Sequence, residues 1–138
     1  MRTGLVAVAM LASIPALAGP GVERWSALSR TAMAITGDIA LSPARLVAAG
    51  RTFPLSVSAD APAFGTPSGP VPARILKVTK PADPRLLHGN TLCGKPVRWL
   101  VAYRRDAGRS LTLAAFSGEA FPAGESGPDL CGTFSYFR

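Results

Sequence analysis

Two cysteines, each placed beside a strand-like segment, constrain this chain more than any other feature. Cys93 precedes an alternating apolar run over residues 97–103, and Cys131 lies near the start of a second run over residues 130–137. Alternation of this kind is typical of half-buried strands. Two cysteines in an exported chain are most often paired, because the compartment beyond the inner membrane is oxidising. We therefore predict a Cys93–Cys131 disulfide that ties two strands of one sheet.

The first eighteen residues indicate export. Arg2 gives a positive start, residues 5–17 give an apolar stretch, and Ala16-Leu17-Ala18 is a small-x-small cleavage site. Pro15 interrupts the stretch before it reaches the ~20 apolar residues that a membrane span needs. We predict a signal peptide over residues 1–18, one exported domain over residues 19–138, no transmembrane span after cleavage, and a periplasmic or secreted location.

The remaining chain consists of short alternating segments separated by turn residues. Strand patterns fall at residues 39–42, 44–57 with a hairpin turn at Gly50, 73–79, 97–104, 111–116 and 130–137. Residues 22–35 favour a short helical turn followed by extended chain, and residues 85–87 favour a second helical turn. Residues 58–72 and 117–129 are rich in proline and glycine, and we predict two long loops there.

These patterns predict an all-β fold. We expect a small single-domain barrel or sandwich of six to eight short antiparallel strands, with at most one or two helical turns and one disulfide. Trp99 and Tyr103 alternate with Arg98 and Arg104, so we predict that the aromatic face of this strand is the core face. Trp99 should then pack beside Phe134 or Tyr136.

Residues for common catalytic chemistry are few. His88 is the only histidine, and it lies in a turn without the G-x-S-x-G motif that would present a serine to it. Asp38, Asp83 and Asp106 occupy turns, where carboxylates usually cap local backbone. One histidine and two cysteines have no zinc-site spacing. We predict no catalytic residue, no metal and no cofactor; the alternatives are a small periplasmic hydrolase using Asp38, Asp83 and His88, and a structural or assembly protein.

The charge of the chain points to anionic partners. Its net charge of +7 falls to +6 on cleavage, because Arg2 is the one charged residue removed. Twelve arginines outnumber three lysines, and guanidinium groups suit phosphate and carboxylate. We predict a non-catalytic envelope protein that binds an anionic or amphiphilic partner, such as lipid head groups or cell-wall polymer, and no specific nucleic acid. The candidate binding residues are Arg98, Arg104 and Arg105.

Several short motifs resemble those of a group of small exported bacterial proteins. They are ITGDI at residues 35–39, TKPADP at residues 79–84, GNTLCG at residues 89–94 and the Cys131-Gly132 pair. The resemblance extends over nearly all of the chain after the signal segment. It implies export and no particular activity, so it assigns no functional residue.

Overall fold

The fold is a closed eight-stranded antiparallel β-barrel, seen in a computed structural model that describes residues 21–138. Each strand pairs with its neighbours in chain order, and the last strand closes the barrel against the first. The strands are β1 (Glu23–Ala27), β2 (Ile39–Ser42), β3 (Arg45–Ala48), β4 (Arg51–Thr66), β5 (Gly69–Ala82), β6 (Val97–Arg105), β7 (Ser110–Phe116) and β8 (Leu130–Phe137). The all-β prediction is confirmed, and a barrel rather than a sandwich is formed. The predicted signal peptide and its cleavage site lie outside the described residues.

The helical content of residues 21–138 is limited to three single turns. They are Ala32–Thr36, Leu87–Gly89 and Asp106–Gly108. The predicted order of a helical turn followed by extended chain is reversed near the N-terminus, because β1 comes first and the turn follows it. Glu23, Trp25 and Ala27 share one face of β1, so this aromatic belongs to a strand rather than a helix. No helix in this part of the chain has the length and apolar character to cross a membrane.

The predicted hairpin around Gly50 is present. Ala49 and Gly50 have positive φ angles of 50° and 76°, and they join Ala48 of β3 to Arg51 of β4. Two central residues with positive φ form the turn whose twist matches that of paired strands. The local sequence around Gly50 is therefore enough to predict this hairpin turn.

The prediction of a long loop over residues 58–72 is wrong. These residues belong to β4 and β5, which form one long hairpin with its turn at Pro67 and Ser68. The prolines mislead because they normally exclude a central strand. Here Pro62, Pro70 and Pro72 lie where the hairpin extends beyond its neighbours, since β3 pairs with β4 only as far as Pro54, and β6 pairs with β5 from Arg74 onward. We call this extension, residues 58–72, the arm.

The interior of the barrel holds the main core. Its largest fully buried side chains include Trp25, Phe53, Leu100, Leu111 and Tyr136. One end of the barrel is closed by the Ala32–Thr36 turn together with Leu86 and Leu92, which are also buried in this core. The predicted disulfide is present near this end and joins Cys93, which precedes β6, to Cys131 in β8. We call the end of the barrel that is covered by the Ala32–Thr36 turn, Leu86 and Leu92 the closed end.

A second apolar cluster lies on the outer face of the sheet. It contains Phe64, Ile75, Val101, Tyr103 and Phe116, with Trp99 packed against it. The predicted loop over residues 117–129 is present and covers this cluster, since its Phe121 ring packs edge-on against Trp99 at 5.5 Å. We call the apolar residues beneath this loop, Phe64, Ile75, Val101, Tyr103, Phe116 and Trp99, the outer cluster.

The prediction that Trp99 packs beside Phe134 or Tyr136 is therefore wrong. Leu100 lies opposite Leu76 and Ala115 inside the barrel, so its neighbours Trp99 and Val101 point outward. Alternation divides the strand into two faces but does not tell which face is inside, because both faces of β6 are buried.

Candidate functional site: the mouth of the barrel

The end of the barrel opposite the disulfide is open and forms a cavity of about 800 Å³. The start of β1, the turn after β2, the arm and the end of β6 surround it. Cavities of roughly 300–1,000 Å³ are the usual size for binding small molecules. We call this cavity and its lining residues the mouth.

The floor of the mouth is apolar. Leu41 and Leu76 line it and are only 6% and 1% exposed, and the half-buried Ala102 lies beside them. All three side chains belong to or pack against the barrel core. A ligand that reaches this floor would therefore contact hydrocarbon rather than polar groups.

A β-bulge in β4 brings an acidic residue to the mouth. Phe53, Leu55 and Val57 lie on the inner face of β4, and the pairing with β5 shifts register between Val57 and Ala59. One extra residue reverses the alternation that follows it. Asp60 therefore lies opposite Arg74, on the face that leads down to Leu76.

Arg74 and Asp60 form the first ion pair of the rim. Arg74 donates from Nε and Nη2 to the two Asp60 carboxylate oxygens, at 2.8 and 3.1 Å. Both side chains are well exposed, at 46% and 66%. The hydrogen bond from Arg74 lowers the pKa of Asp60 below its ordinary value, so the pair is charged at neutral pH.

Arg104 and Glu23 form the second ion pair of the rim. Arg104 Nη2 donates to both Glu23 carboxylate oxygens, at 2.6 and 2.8 Å, and the Trp25 indole N–H also donates to Glu23 at 3.2 Å. Partial burial acts to raise the pKa of Glu23, but the hydrogen bonds and the positive charges of Arg104 and Arg138 outweigh it, so the pKa is lowered. The Arg104 and Arg138 guanidinium groups also lie over the Trp25 ring, at 5.6 and 4.5 Å from its centroid.

The structure separates the three predicted binding arginines. Arg104 lines the mouth, whereas Arg105 lies over the ring of Tyr103, on the outer face of β6. Arg98 is near the opposite end of β6, about 20 Å from Arg104 at roughly 3.3 Å per residue. Of the three predicted arginines, β6 therefore places only Arg104 at the mouth.

Two residues of the hydrolase alternative, Asp38 and Asp83, bind different segments of backbone. Asp38 accepts a hydrogen bond from the Ala27 N–H at 2.9 Å, and Asp83 accepts one from the Cys93 N–H at 3.1 Å. The expectation that these two carboxylates cap local backbone is wrong, because the N–H groups that they bind are eleven and ten residues away rather than within the same turn. His88 is exposed in the Leu87–Gly89 turn. Within residues 21–138, no group of three or more His, Cys, Asp or Glu residues is arranged to hold a metal ion.

Sequence reasoning missed Glu23, Asp60 and Arg74 at the mouth. Glu23 and Arg104 are 81 residues apart, and only closure of the barrel brings them together. Asp60 falls in the segment predicted as a loop, residues 58–72, so that prediction gives it no strand partner such as Arg74. Their similar distances from the Pro67-Ser68 turn, seven residues before Pro67 and six after Ser68, are the available signal, but a register shift between Ala61 and Phe64 is needed to pair them.

A smaller cavity of about 370 Å³ lies on the outer side of β1, β2 and β3. Arg24, Asp38 and Val47 are among its lining residues. It lacks the two arginine–carboxylate ion pairs of the mouth and is the alternative location for a ligand.

No protein-family model, curated protein or solved structure matches this chain.

Proposed function

We propose that this protein is a non-catalytic, exported module of the cell envelope that binds an anionic, amphiphilic partner at the mouth of its barrel. One observation carries the proposal: an apolar floor lies inside a rim that presents two arginines, Arg74 and Arg104. An amphiphile needs both environments, because its tail gains by leaving water and its head must keep polar or charged contacts. The mouth offers both within one cavity.

The overall charge supports an anionic partner. The net charge of +6 that remains after removal of residues 1–18 attracts anions to the whole surface and raises their concentration near the mouth. The rim acids Glu23 and Asp60 balance the two rim arginines one for one, so the cavity itself does not carry a large excess of charge. Selectivity for an anion at the mouth would then arise from hydrogen bonds, and attraction toward it from the surrounding surface.

The proposed periplasmic or secreted location rests on the chain and on the disulfide. The predicted signal peptide and the resemblance to small exported bacterial proteins both favour export. The Cys93–Cys131 bridge is the kind of cross-link that persists in oxidising compartments. A lipid head group or a shed envelope lipid is a partner that such a location would supply.

Titration with the dye 1-anilinonaphthalene-8-sulfonate tests this proposal, because the dye combines an anionic group with an apolar body. Ala102→Phe should weaken dye binding by about tenfold or more, since the larger side chain fills the floor of the mouth. Ala40→Phe is the matched control, because Ala40 is also half-buried but lines the smaller outer cavity. Binding should also weaken as salt is added.

The proposal is wrong if the folded protein binds no dye, or if both variants bind it as the parent does. Thermal melting of each variant should accompany the titration, because partly unfolded protein also binds this dye.

A further inference from the structure

The two ion pairs of the rim differ in how firmly their acids are held. Glu23 is 24% exposed and is fixed by both Arg104 and the Trp25 indole N–H. Asp60 is 66% exposed, and the hydrogen bonds to its carboxylate within residues 21–138 all come from Arg74. Exposed ion pairs contribute little to stability, with typical values of about 0–1 kcal/mol. Asp60 can therefore leave Arg74 at small cost, whereas Glu23 is a fixed part of the wall.

The geometry of Arg74 matches a carboxylate. Its Nε and Nη2 groups form a fork that meets the two Asp60 oxygens at 2.8 and 3.1 Å. Such paired hydrogen bonds recognise planar, two-oxygen acceptors. The carboxylate of Asp60 thus occupies the position that the head group of a ligand would need.

The position of Arg74 relative to the floor defines the rest of the ligand. Arg74 and Leu76 lie on the same face of β5, two residues apart, with Arg74 at the rim and Leu76 on the floor. A head group on Arg74 would therefore direct an attached hydrocarbon chain toward Leu76, Leu41 and Ala102.

We propose that Arg74 binds the carboxylate head of a single-chain amphiphile, and that Asp60 is a placeholder which the ligand displaces. This inference rests on the proposed function and adds to it the ligand class, the residue that binds the head group and a built-in competitor. Asp60 keeps Arg74 paired while the mouth is empty. Binding of the ligand exchanges one carboxylate for another on Arg74. The displaced Asp60 carboxylate then faces solvent, which its 66% exposure allows.

Calorimetric titration with dodecanoate and with the neutral dodecanol tests this inference. Asp60→Asn should tighten dodecanoate binding severalfold, because the amide competes poorly for the guanidinium group, and should leave dodecanol binding unchanged. Arg74→Gln should weaken dodecanoate binding by about tenfold or more, because it removes a charge-assisted pair of hydrogen bonds. Its effect on dodecanol should be small.

Matched controls remove the effect of net charge. Glu119→Gln changes the charge as Asp60→Asn does, and Arg51→Gln changes it as Arg74→Gln does. Both control residues are exposed and lie outside the lining of the mouth. Neither control should alter dodecanoate binding more than about twofold, the size expected of a charge change at a distance in salt.

Two different failures can be told apart. If dodecanoate binds and Ala102→Phe weakens it, but Asp60→Asn and Arg74→Gln behave as their controls, the mouth binds amphiphiles and the role given to Arg74 and Asp60 is wrong. If neither dodecanoate nor dodecanol binds the folded protein, the proposed function is wrong as well.

Discussion

At the scale of single residues, the closed end of the barrel depends on a buried pair of hydroxyl groups. Thr36 is 2% exposed and Tyr136 is fully buried, and their oxygens are 2.9 Å apart. Thr36 can also donate to the carbonyl groups of Ala32 and Gly37, at 3.2 and 2.9 Å. The Tyr136 O–H is therefore assigned as the donor to Thr36, and burial raises the pKa of Tyr136 so that it keeps its proton.

The two halves of this pair should differ in their effect on stability. Tyr136→Phe removes the donor and leaves Thr36 bonded to a carbonyl, so it should cost about 0.5–1.5 kcal/mol of unfolding free energy. Thr36→Val leaves the Tyr136 hydroxyl buried without a partner and should cost more, about 1–3 kcal/mol. Urea unfolding measures both, and the double variant should cost less than the two single costs together. A larger loss for Tyr136→Phe than for Thr36→Val would contradict this assignment.

Some residue roles could be predicted from the sequence and others could not. Cys93 and Cys131 were identifiable, because a chain with two cysteines offers one pairing. The backbone partners of Asp38 and Asp83 could not be predicted, because turn positions suggest local capping and the partners are brought close only by the fold. The direction of Trp99 could not be predicted, because β6 is buried on both faces and its periodicity is the same for either orientation.

At the scale of elements, the loop over residues 117–129 is fixed to the arm by a close backbone approach. Gly65 donates from its N–H to the Ala123 carbonyl at 3.1 Å, and its own carbonyl accepts from the Glu125 N–H at 2.8 Å. A side chain at Gly124 would place its Cβ 3.1 Å from the Gly65 carbonyl oxygen and 3.2 Å from its Cα. The loop can therefore approach the arm this closely because position 124 is glycine.

Gly124→Ala should loosen the loop and expose the outer cluster. We expect a loss of about 1–2 kcal/mol in unfolding free energy, within the usual range for a destabilising single substitution. Gly127→Ala is the matched control in the same loop, because a Cβ there has no atom within 4 Å, and its effect should stay within about 0.5 kcal/mol. Hydrogen exchange of the loop amides would locate the effect. Equal stability of the two variants would show that the backbone contact is not what holds the loop.

The elements that could be predicted are those with local signals. The β3–β4 hairpin was predicted from its turn at Gly50, and the strands β6 and β7 from the alternating patterns at residues 97–104 and 111–116. The arm was missed because its prolines indicate a loop when considered alone. Their compatibility with strands depends on where β3 and β6 end, and that is a property of the assembled sheet.

At the scale of the whole molecule, the disulfide joins the segment before β6 to the last strand across 38 residues of sequence. The chain-entropy model gives roughly 4 kcal/mol of stabilisation for a loop of this size. Reduction should therefore lower the melting temperature by more than about 10 °C. Differential scanning calorimetry with and without reductant measures this shift.

Cys131→Ser provides the control for the disulfide prediction. The variant should melt like the reduced protein, and reductant should not change its melting temperature further. An unchanged melting temperature on full reduction of the parent protein would mean that barrel closure by β1 and β8 suffices to hold the ends.

The whole-molecule architecture could be predicted only as far as the all-β class. The choice of a barrel depends on β8 pairing with β1 as well as β7, and the paired residues of β1 and β8 are more than 100 positions apart. The mouth follows from that closure, so no local pattern could have brought Glu23 beside Arg104 or identified the cavity.

The central claim, that an anionic amphiphile enters the mouth of the barrel, is tested most directly by nuclear magnetic resonance. In a titration of uniformly ¹⁵N-labelled protein with dodecanoate, the largest amide shift changes should occur at Leu41, Asp60, Leu76 and Arg104, around one cavity. The outer cavity at Arg24 and Val47 and the closed end at Thr36 should change little. Changes centred on the outer cavity, or no saturable changes in the folded protein, would contradict the account.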